Sequence, residues 1–267
     1  MALWAAPALE LIDASVLDVC RASTLRTGGR VDEHDGLTLV IGTHPSPVIV
    51  NVILRSGPVN DPPAALEFAR ATFAAIGHGT SLVTSSHADG PLAAAAAAAG
   101  WTSVFELVGM ILDEPIAVGD VPAGVRLFQA DPVADLAAVS LVEVTGFAES
   151  DDERSMARSV FSDQRSIDGP DTTACLAEVE GSGGGREPAA VAIVDRAPAA
   201  LISWVATVPE FRRRGLGGLV TTAAAHRGFE MGCPAVVLQA SPMGLPVYRR
   251  LGFRDLDHYL VWEPPER

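Results

Sequence analysis

Apolar and polar positions follow two different periods along the chain, and each period predicts an element. The first half opens on an apolar helix. Two β-rich runs follow, then a helix that starts at two prolines and ends at glycine, a short strand and an alanine-rich helix. These elements lie in order at 1–21, 36–44, 46–57, 62–77, 80–86 and 91–101. The pattern predicts a mixed α/β domain.

Residues 113–124 contain two prolines and two glycines without periodicity, which is typical of a boundary. We therefore predict two domains, 1–115 and 120–267. The residue pattern of the second domain predicts the element order β-α-α-β-β-β-α-β-α-β, which starts at the strand "VRLFQ" and ends at "HYLVWE".

An internal echo suggests that the two halves are related. The stretch 76–86 resembles 231–241, and 98–112 resembles 250–264, so the offset is 155 residues for the first pair and 152 for the second. Such self-similarity predicts a duplicated unit. The alternative is an unrelated α/β domain whose alanine-rich helices imitate a repeat.

Composition narrows the class of protein. Of the 267 residues, 48% are hydrophobic and 19% charged, which predicts a globular chain with a sizeable core. The formal net charge of −14 argues against nucleic acid or an anionic membrane as partner. Three scattered cysteines give neither a disulfide framework nor zinc-ligand spacing, so we expect no metal site and a reducing, cytoplasmic compartment. Acidic residues interrupt the apolar first 21 residues, so we do not expect a signal peptide there. No apolar run is long enough to predict a membrane-spanning helix.

The stretch "VPEFRRRGLGG" (208–218) concentrates positive charge in this acidic chain. All 19 basic residues are arginine, and residues 201–267 hold eight of them against six acids. A strand that enters a glycine turn before a helix leaves backbone N–H groups without intrahelical partners, and these bind phosphate. Nucleotide loops fit worse, because lysine is absent and "GLGG" is too short for Gly-x-Gly-x-x-Gly. The plainer alternative is a solvated helix start.

Two motifs carry a resemblance to a known family. "VATVPEFRRRGLGG" resembles the acyl-coenzyme A signature of the GCN5-related N-acetyltransferase (GNAT) superfamily, with Arg212, Gly215 and Gly217 at its defined places. "VYRRLGF" (247–253) resembles the family's Tyr-x-x-x-Gly-Phe segment, and the element order from about 125 to 262 resembles its fold. The resemblance implies two GNAT-like domains, each a mixed, mostly antiparallel sheet flanked by helices.

The resemblance also implies site residues. Acetyl-coenzyme A, the cosubstrate, would place its pyrophosphate on the loop N–H groups and its pantetheine arm along the preceding strand, where the two neighbouring strands splay apart. Tyr248 would be the general acid that protonates the leaving thiolate, with a packed aromatic as the alternative. A strand N–H near Ala206 or Thr207 would hold the oxyanion. The implied coenzyme-binding residues are Val205, Ala206, Thr207, Arg212, Arg213, Arg214, Gly215, Leu216, Gly217 and Gly218.

The general base is left open. Gln239 stands where some relatives carry a carboxylate, and an amide cannot take a proton. Glu210 or the acidic run 149–153 could act through water, although such a run is usually only solvated. His226 is interpreted as a surface or packing residue, Cys233 as a buried thiol, and Trp204 as a core residue and not a substrate platform.

These observations lead to one expected function and one alternative. We expect an N-acetyltransferase that acts on a primary amine of a small molecule or peptide, and the alternative is a noncatalytic acyl-coenzyme A sensor or partner-binding module. The repeat places "GPVNDPP" (57–63) opposite the arginine loop and Ala96 opposite Tyr248. Prolines lack the N–H donor and Asp61 adds negative charge, so the first half is predicted to be degenerate and the chain to bind one coenzyme.

Overall fold

The computed structural model describes residues 5–45, 50–117, 119–148, 150–181 and 183–265. The chain forms two compact units. The first unit comprises Met1–Met110, Gln239–Pro242 and Asp255–Arg267, and the second comprises Ile111–Leu238 and Met243–Arg254. The units therefore do not follow the linear boundary predicted at 115–120, because a C-terminal segment belongs to the first unit.

Within the described residues, the first unit contains a six-stranded sheet that is covered by three helices. Its strands lie in the order β1-β2-β3-β4-β11-β5, and only the β3–β4 pair is recorded as parallel. The elements are α1 (Ala5–Arg26), β1 (Arg30–His34), β2 (Leu37–Ile41), β3 (Asn51–Arg55), α2 (Pro62–Ala75), β4 (Ser81–Ser85), α3 (Gly90–Ala98), β5 (Thr102–Leu112) and β11 (Arg254–Glu263). The mixed, mostly antiparallel sheet predicted for this half is confirmed.

Alternation along β2 explains why helices cover both faces of this sheet. Leu37, Leu39 and Ile41 pack with Phe73 of α2, whereas Val40 between them packs towards α1. Successive side chains of a strand point to opposite faces, so a strand buried at every position needs a layer on each side.

The last strand, β11, corrects the predicted domain assignment. Tyr259 to Trp262 pair antiparallel with Ser85 to Leu82 of β4, within the first unit. The Nε1–H of Trp262 donates to Thr84 Oγ1 at 2.9 Å, which fixes the register. The local pattern of "HYLVWE" indicates a strand but does not indicate which strand it pairs with, because strand pairing joins residues that are far apart in the chain.

Arg55, at the end of β3, joins a charged cluster in the first unit. Its guanidinium pairs with Asp13 at 3.1 Å and with Asp89, which is 5% exposed. His87 lies between Asp13 (3.2 Å) and Asp257 (2.6 Å). The cluster therefore links α1 to residues that flank three strands of this sheet.

We expect Arg55→Leu to lower the free energy of unfolding by about 3 kcal/mol, because removing one partner leaves a buried carboxylate uncompensated. Urea denaturation measures the loss. Arg70→Leu is the matched control, since Arg70 pairs with Glu67 three residues away on an exposed helix face and should cost about 0.5 kcal/mol or less. Equal losses in the two variants would contradict the proposed importance of the cluster.

The second unit contains a five-stranded sheet in the order β10-β9-β8-β7-β6, parallel between β10 and β9 and antiparallel elsewhere. Its elements are β6 (Val125–Gln129), α4 (Leu136–Phe147), α5 (Asp151–Phe161), β7 (Thr172–Glu180), β8 (Arg186–Asp195), β9 (Ala200–Thr207), α6 (Leu216–Glu230), β10 (Val236–Ala240) and α7 (Leu245–Arg250), with single 3-10 turns at Gln164–Ser166 and Pro209–Phe211. The predicted order of this half is confirmed, with its last strand, β11, in the first unit.

Helices cover both faces of the second sheet as well. Val139 and Val142 of α4 pack with Leu176, Val191 and Ile193 on one face. On the other face α6 lies so close that a Cβ on Gly228 would come within 2.6 Å of Ala200 Cβ. Across the described ranges, no helix is long and apolar enough to cross a bilayer.

Candidate active site

β9 separates from its parallel neighbour partway along its length. Ala200, Leu201 and Ile202 pair with β10, but residues 203–207 have no recorded partner there, although β9 stays paired with β8 as far as Thr207. The splayed strand pair that the resemblance implied is thus confirmed. On that side the backbone of Val205 and Ala206 can pair with an extended ligand, whereas Thr207 O accepts from Arg212.

A bulge interrupts β9 on its other side. Val191 pairs with Ala206 and Ile193 with Ser203, so Trp204 and Val205 together oppose a single residue of β8. Trp204 has φ +52°, which is uncommon for a residue with a side chain and marks a local constraint. The Trp204 side chain is 37% exposed, so the interpretation of this residue as core was wrong.

The arginine loop ends at an uncapped helix start. Gly215 has φ +80° at the N-cap of α6 and contributes no side-chain cap, and the first recorded helical bond is Leu219 N–H to Gly215 O. Within the described residues, the N–H groups of 213–218 have no recorded hydrogen-bond acceptor. Six successive donors beside a helix N-terminus favour an anion.

The three arginines of the loop have different contacts. Arg212 donates to Thr207 O (3.2 Å) and to Gly146 O of α4 (3.0 Å), so its guanidinium holds the loop against the strand and α4. Arg214 donates to Glu210 O and lies over the Phe211 ring. Arg213 is exposed and has no recorded partner in the described chain. Direct side-chain contact with a phosphate is therefore expected first of Arg213, whereas Arg212 already holds the loop in place.

Tyr248 of α7 is 8% exposed, and burial raises the pKa of its phenol to about 12. Its ring packs edge-on against Phe253, and a Cβ on Gly244 would come within 2.7 Å of the ring. In the described part of the chain its hydroxyl makes no recorded hydrogen bond. The phenol therefore stays protonated at neutral pH and keeps its proton available.

Contacts at the start of α6 bring these parts together. A Cβ on Gly217 would come within 3.4 Å of Thr207 Oγ1, and a Cβ on Gly218 within 3.7 Å of Val247 Cγ1. The end of β9, the loop and the helix that carries Tyr248 thus meet at one end of the second sheet. Unpaired loop N–H groups, an unpaired strand segment and a phenol of the described chain lie around that end.

A family model decides what this arrangement is. The model of the Acetyltransferase (GNAT) family matches residues 141–253. Residues 141–253 belong to the GNAT family. The match contains both sequence motifs and the described elements from the second half of α4 to α7, and GNAT acetyltransferases transfer acyl groups.

Solved structures extend the likeness in fold over both units. A GCN5-related N-acetyltransferase from Kribbella flavida is 22% identical with a TM-score of 0.75, over 96% of this chain and 95% of that one. A tandem GNAT protein from the clavulanic acid biosynthesis pathway is 20% identical with a TM-score of 0.64, over 98% and 95%. Among curated proteins, no sequence matches. The whole chain thus has the fold of tandem GNAT proteins.

After α1, the first unit repeats the order β-β-β-α-β-α-β that runs from β7 to β11, but it differs at the coenzyme loop. Nine positions separate Ile53, in the last β3–β4 pair, from the start of α2 at Pro62, whereas fourteen separate Ile202 from Leu216. The shorter connection leaves no room for the free strand end and arginine loop of the GNAT unit.

Carboxylates of the chain already occupy the corresponding donors. Asp35 accepts from the N–H groups of Asn60 (3.1 Å) and Asp61 (3.0 Å), and Asp61 caps Ala64 N–H. The predicted counterpart of Tyr248 also holds: Ala96 O accepts from Trp101 N–H as Tyr248 O accepts from Phe253 N–H. Ala96 offers no acidic proton at that place.

The remaining sequence candidates are distributed as follows. Cys233 is a buried thiol near Ala197 O, and His226 bonds to Ile116 O, so both are packing residues as expected. Of the proposed bases, Glu210 is exposed in the 3-10 turn before the loop, and Glu149 lies outside the described residues, as do the side chains of 151–153. Gln239 lies near the end of β10, whose last two residues are assigned to the first unit.

The sequence reading missed Glu143 of α4. Its carboxyl is 1% exposed, and neither oxygen has a hydrogen-bond partner in the described structure. Burial raises its pKa to about 8. The available signal was its place in the apolar run "SLVEV", where an acid breaks a buried helix face.

Proposed function

We propose that the protein transfers an acetyl group from acetyl-coenzyme A to a primary amine within a ternary complex. One observation carries the proposal: six N–H donors without recorded acceptors, at 213–218, lie beside the unpaired stretch 203–207 of β9. The donors fit a pyrophosphate and the strand edge fits the amides of pantetheine. Acyl chemistry would then take place near the bulge.

The chain offers groups for the later steps of the transfer. Attack of the neutral amine on the thioester carbonyl forms the C–N bond, and backbone N–H groups near Ala206 or Thr207 would stabilise the oxyanion. Collapse of the tetrahedral intermediate breaks the C–S bond, and Tyr248 donates its phenolic proton to the departing thiolate. The amine must lose a proton before or during attack.

The test is release of free thiol from acetyl-coenzyme A over a panel of small amines and peptide N-termini. The alternative, a noncatalytic acyl-coenzyme A sensor, would bind the coenzyme without release. The negative net charge and the three free cysteines support a cationic acceptor and a reducing, cytoplasmic location as further parts of the proposal.

One coenzyme per chain is the expected stoichiometry. In the first unit Asp35 satisfies two of the donors that a pyrophosphate would need, and its negative charge would repel a phosphate. Isothermal titration with acetyl-coenzyme A should therefore give one site. Two equivalent sites would contradict the degeneracy of the first unit, and Asp35→Asn would show whether the carboxylate is what closes it.

A further inference from the structure

Within the described residues, Glu143 is a buried, unpartnered polar group of the second unit whose burial lowers the stability of the fold. Transferring a polar group into an apolar interior without a hydrogen bond is unfavourable, and native structures rarely keep such a group without a reason. Glu143 is 1% exposed with both oxygens unpartnered in the described chain, so packing provides no reason for it. An apolar residue of the same size would fill the same space at lower cost.

The helix that carries Glu143 is held against the splayed strand. Gly146 lies one turn further along α4, and a Cβ there would come within 2.9 Å of Ala206 Cβ. Arg212 joins Gly146 O to Thr207 O. Residues three apart on a helix share a face, so Glu143 lies on the face of α4 that contacts β9.

A second unpartnered oxygen lies in the same layer. The Oγ of Ser203 is buried without a hydrogen-bond partner in the described residues. Ser203 pairs directly with Ile193, whose side chain packs with Val139 of α4, and paired residues share a face of the sheet. Glu143 and Ser203 thus both supply unused polar groups between α4 and the β9 bulge.

Three aromatic rings lie beside this layer between α4 and β9. Phe147 of α4 is 46% exposed and lies 5.9 Å from Trp204, and both contact the buried Phe161 of α5. The positive φ of Trp204 turns its ring to this place beside the bulge. The rings form an aromatic edge that suits an apolar or aromatic frame, or a cation over a ring face.

We propose that Glu143 accepts a proton from the substrate amine. The substrate, which accepts the acetyl group, is a primary amine on an aromatic or apolar frame that rests on Phe147 and Trp204. The inference rests on the proposed acetyl transfer. The carboxylate takes one proton from the ammonium, and the nitrogen lone pair then attacks the thioester carbonyl. The second amine proton passes to solvent water as the tetrahedral intermediate collapses, and the thiolate receives its proton from Tyr248. Water then reprotonates the Tyr248 phenolate and takes up the proton held by Glu143.

Among the described residues, burial is the one cause that raises the pKa of Glu143 to about 8. A base with that pKa accepts a proton from an ammonium far more readily than an ordinary carboxylate. Its active form is the carboxylate, so the kcat of the wild-type protein should rise with pH through the region of 8 and then level.

Thiol release from acetyl-coenzyme A with 2-phenylethylamine as acceptor tests the inference. Glu143→Gln keeps the shape but cannot accept the proton, so kcat should fall on the order of a hundredfold and the rise near pH 8 should disappear. Glu143→Leu removes the unpartnered carboxyl altogether and should fold well while showing the same loss. Affinity for acetyl-coenzyme A should change less than about twofold in both variants, by titration.

Several results would overturn the inference. Turnover by Glu143→Leu within twofold of the wild type would show that Glu143 takes no part in catalysis. A pH profile of wild-type kcat without a rise near pH 8 would show the same without any variant. A wild type that uses spermidine but not 2-phenylethylamine would refute the acceptor class. Absence of thiol release with every amine would instead refute the proposed transfer itself, which keeps the two failures apart.

Discussion

Replacing Tyr248 with phenylalanine should lower kcat on the order of a hundredfold while leaving the affinity for acetyl-coenzyme A nearly unchanged. The ring packs against Phe253 and over Gly244, so the variant keeps its packing and loses only the phenolic O–H. The raised pKa, about 12, keeps the proton on the phenol throughout the neutral range. Steady-state thiol release and titration of the coenzyme measure the two quantities.

The chain supplies a matched control for this variant, because its only other tyrosine is Tyr259. Tyr259 donates to Asp13 Oδ1 at 2.8 Å in the first unit. Tyr259→Phe should therefore lower stability by about 1 kcal/mol and leave kcat unchanged. If both variants lost turnover equally, or if Tyr248→Phe lost none, Tyr248 would be a packing residue.

Replacing Gly217 with leucine should weaken acetyl-coenzyme A binding on the order of a hundredfold. A Cβ at this position lies 3.4 Å from Thr207 Oγ1, and the rest of the side chain would extend where the loop N–H groups and the strand edge converge. Losing one or two hydrogen bonds to a charged phosphate costs about 3 kcal/mol, which corresponds to that factor. Calorimetric titration measures it.

Gly90→Leu is the control for the glycine variant. Gly90 also begins a helix, α3 of the first unit, and a Cβ there meets no atom within 4 Å. It should leave coenzyme affinity unchanged, and circular dichroism should show both variants folded. Unchanged affinity of Gly217→Leu for acetyl-coenzyme A would show that the pyrophosphate does not bind at this loop.

Local chemistry made much of the second unit predictable. A glycine that must adopt φ +80° before a helix, and a tyrosine four residues before "GF", are fixed by short-range geometry. The pairing of β11 with β4 was not predictable, because 174 positions separate the partners Ser85 and Tyr259 and any edge strand could have accepted "HYLVWE". The weakly patterned β1 was also missed.

Sequence reasoning misjudged side chains where the backbone departs from regular geometry. Trp204 sits in an alternating strand that predicts burial, but the bulge and its positive φ change where the ring lies. Arg212 matches a motif for anion binding, and the sequence does not indicate that its guanidinium also donates to two carbonyl oxygens. Glu143 was passed over because a single acid in a helix is normally solvated, and its burial depends on α4 lying against β9.

The pairing of β11 with β4 sets an order of events during synthesis. β4 is synthesised well before β11, its neighbour in the sheet, because the second unit lies between them in the chain. Until β11 is made, β4 presents an open edge, the kind of backbone on which other chains can pair. The first unit can therefore complete its sheet only after β11 has been synthesised, and a premature stop between β4 and Asp255 would leave a product with an aggregation-prone edge at β4.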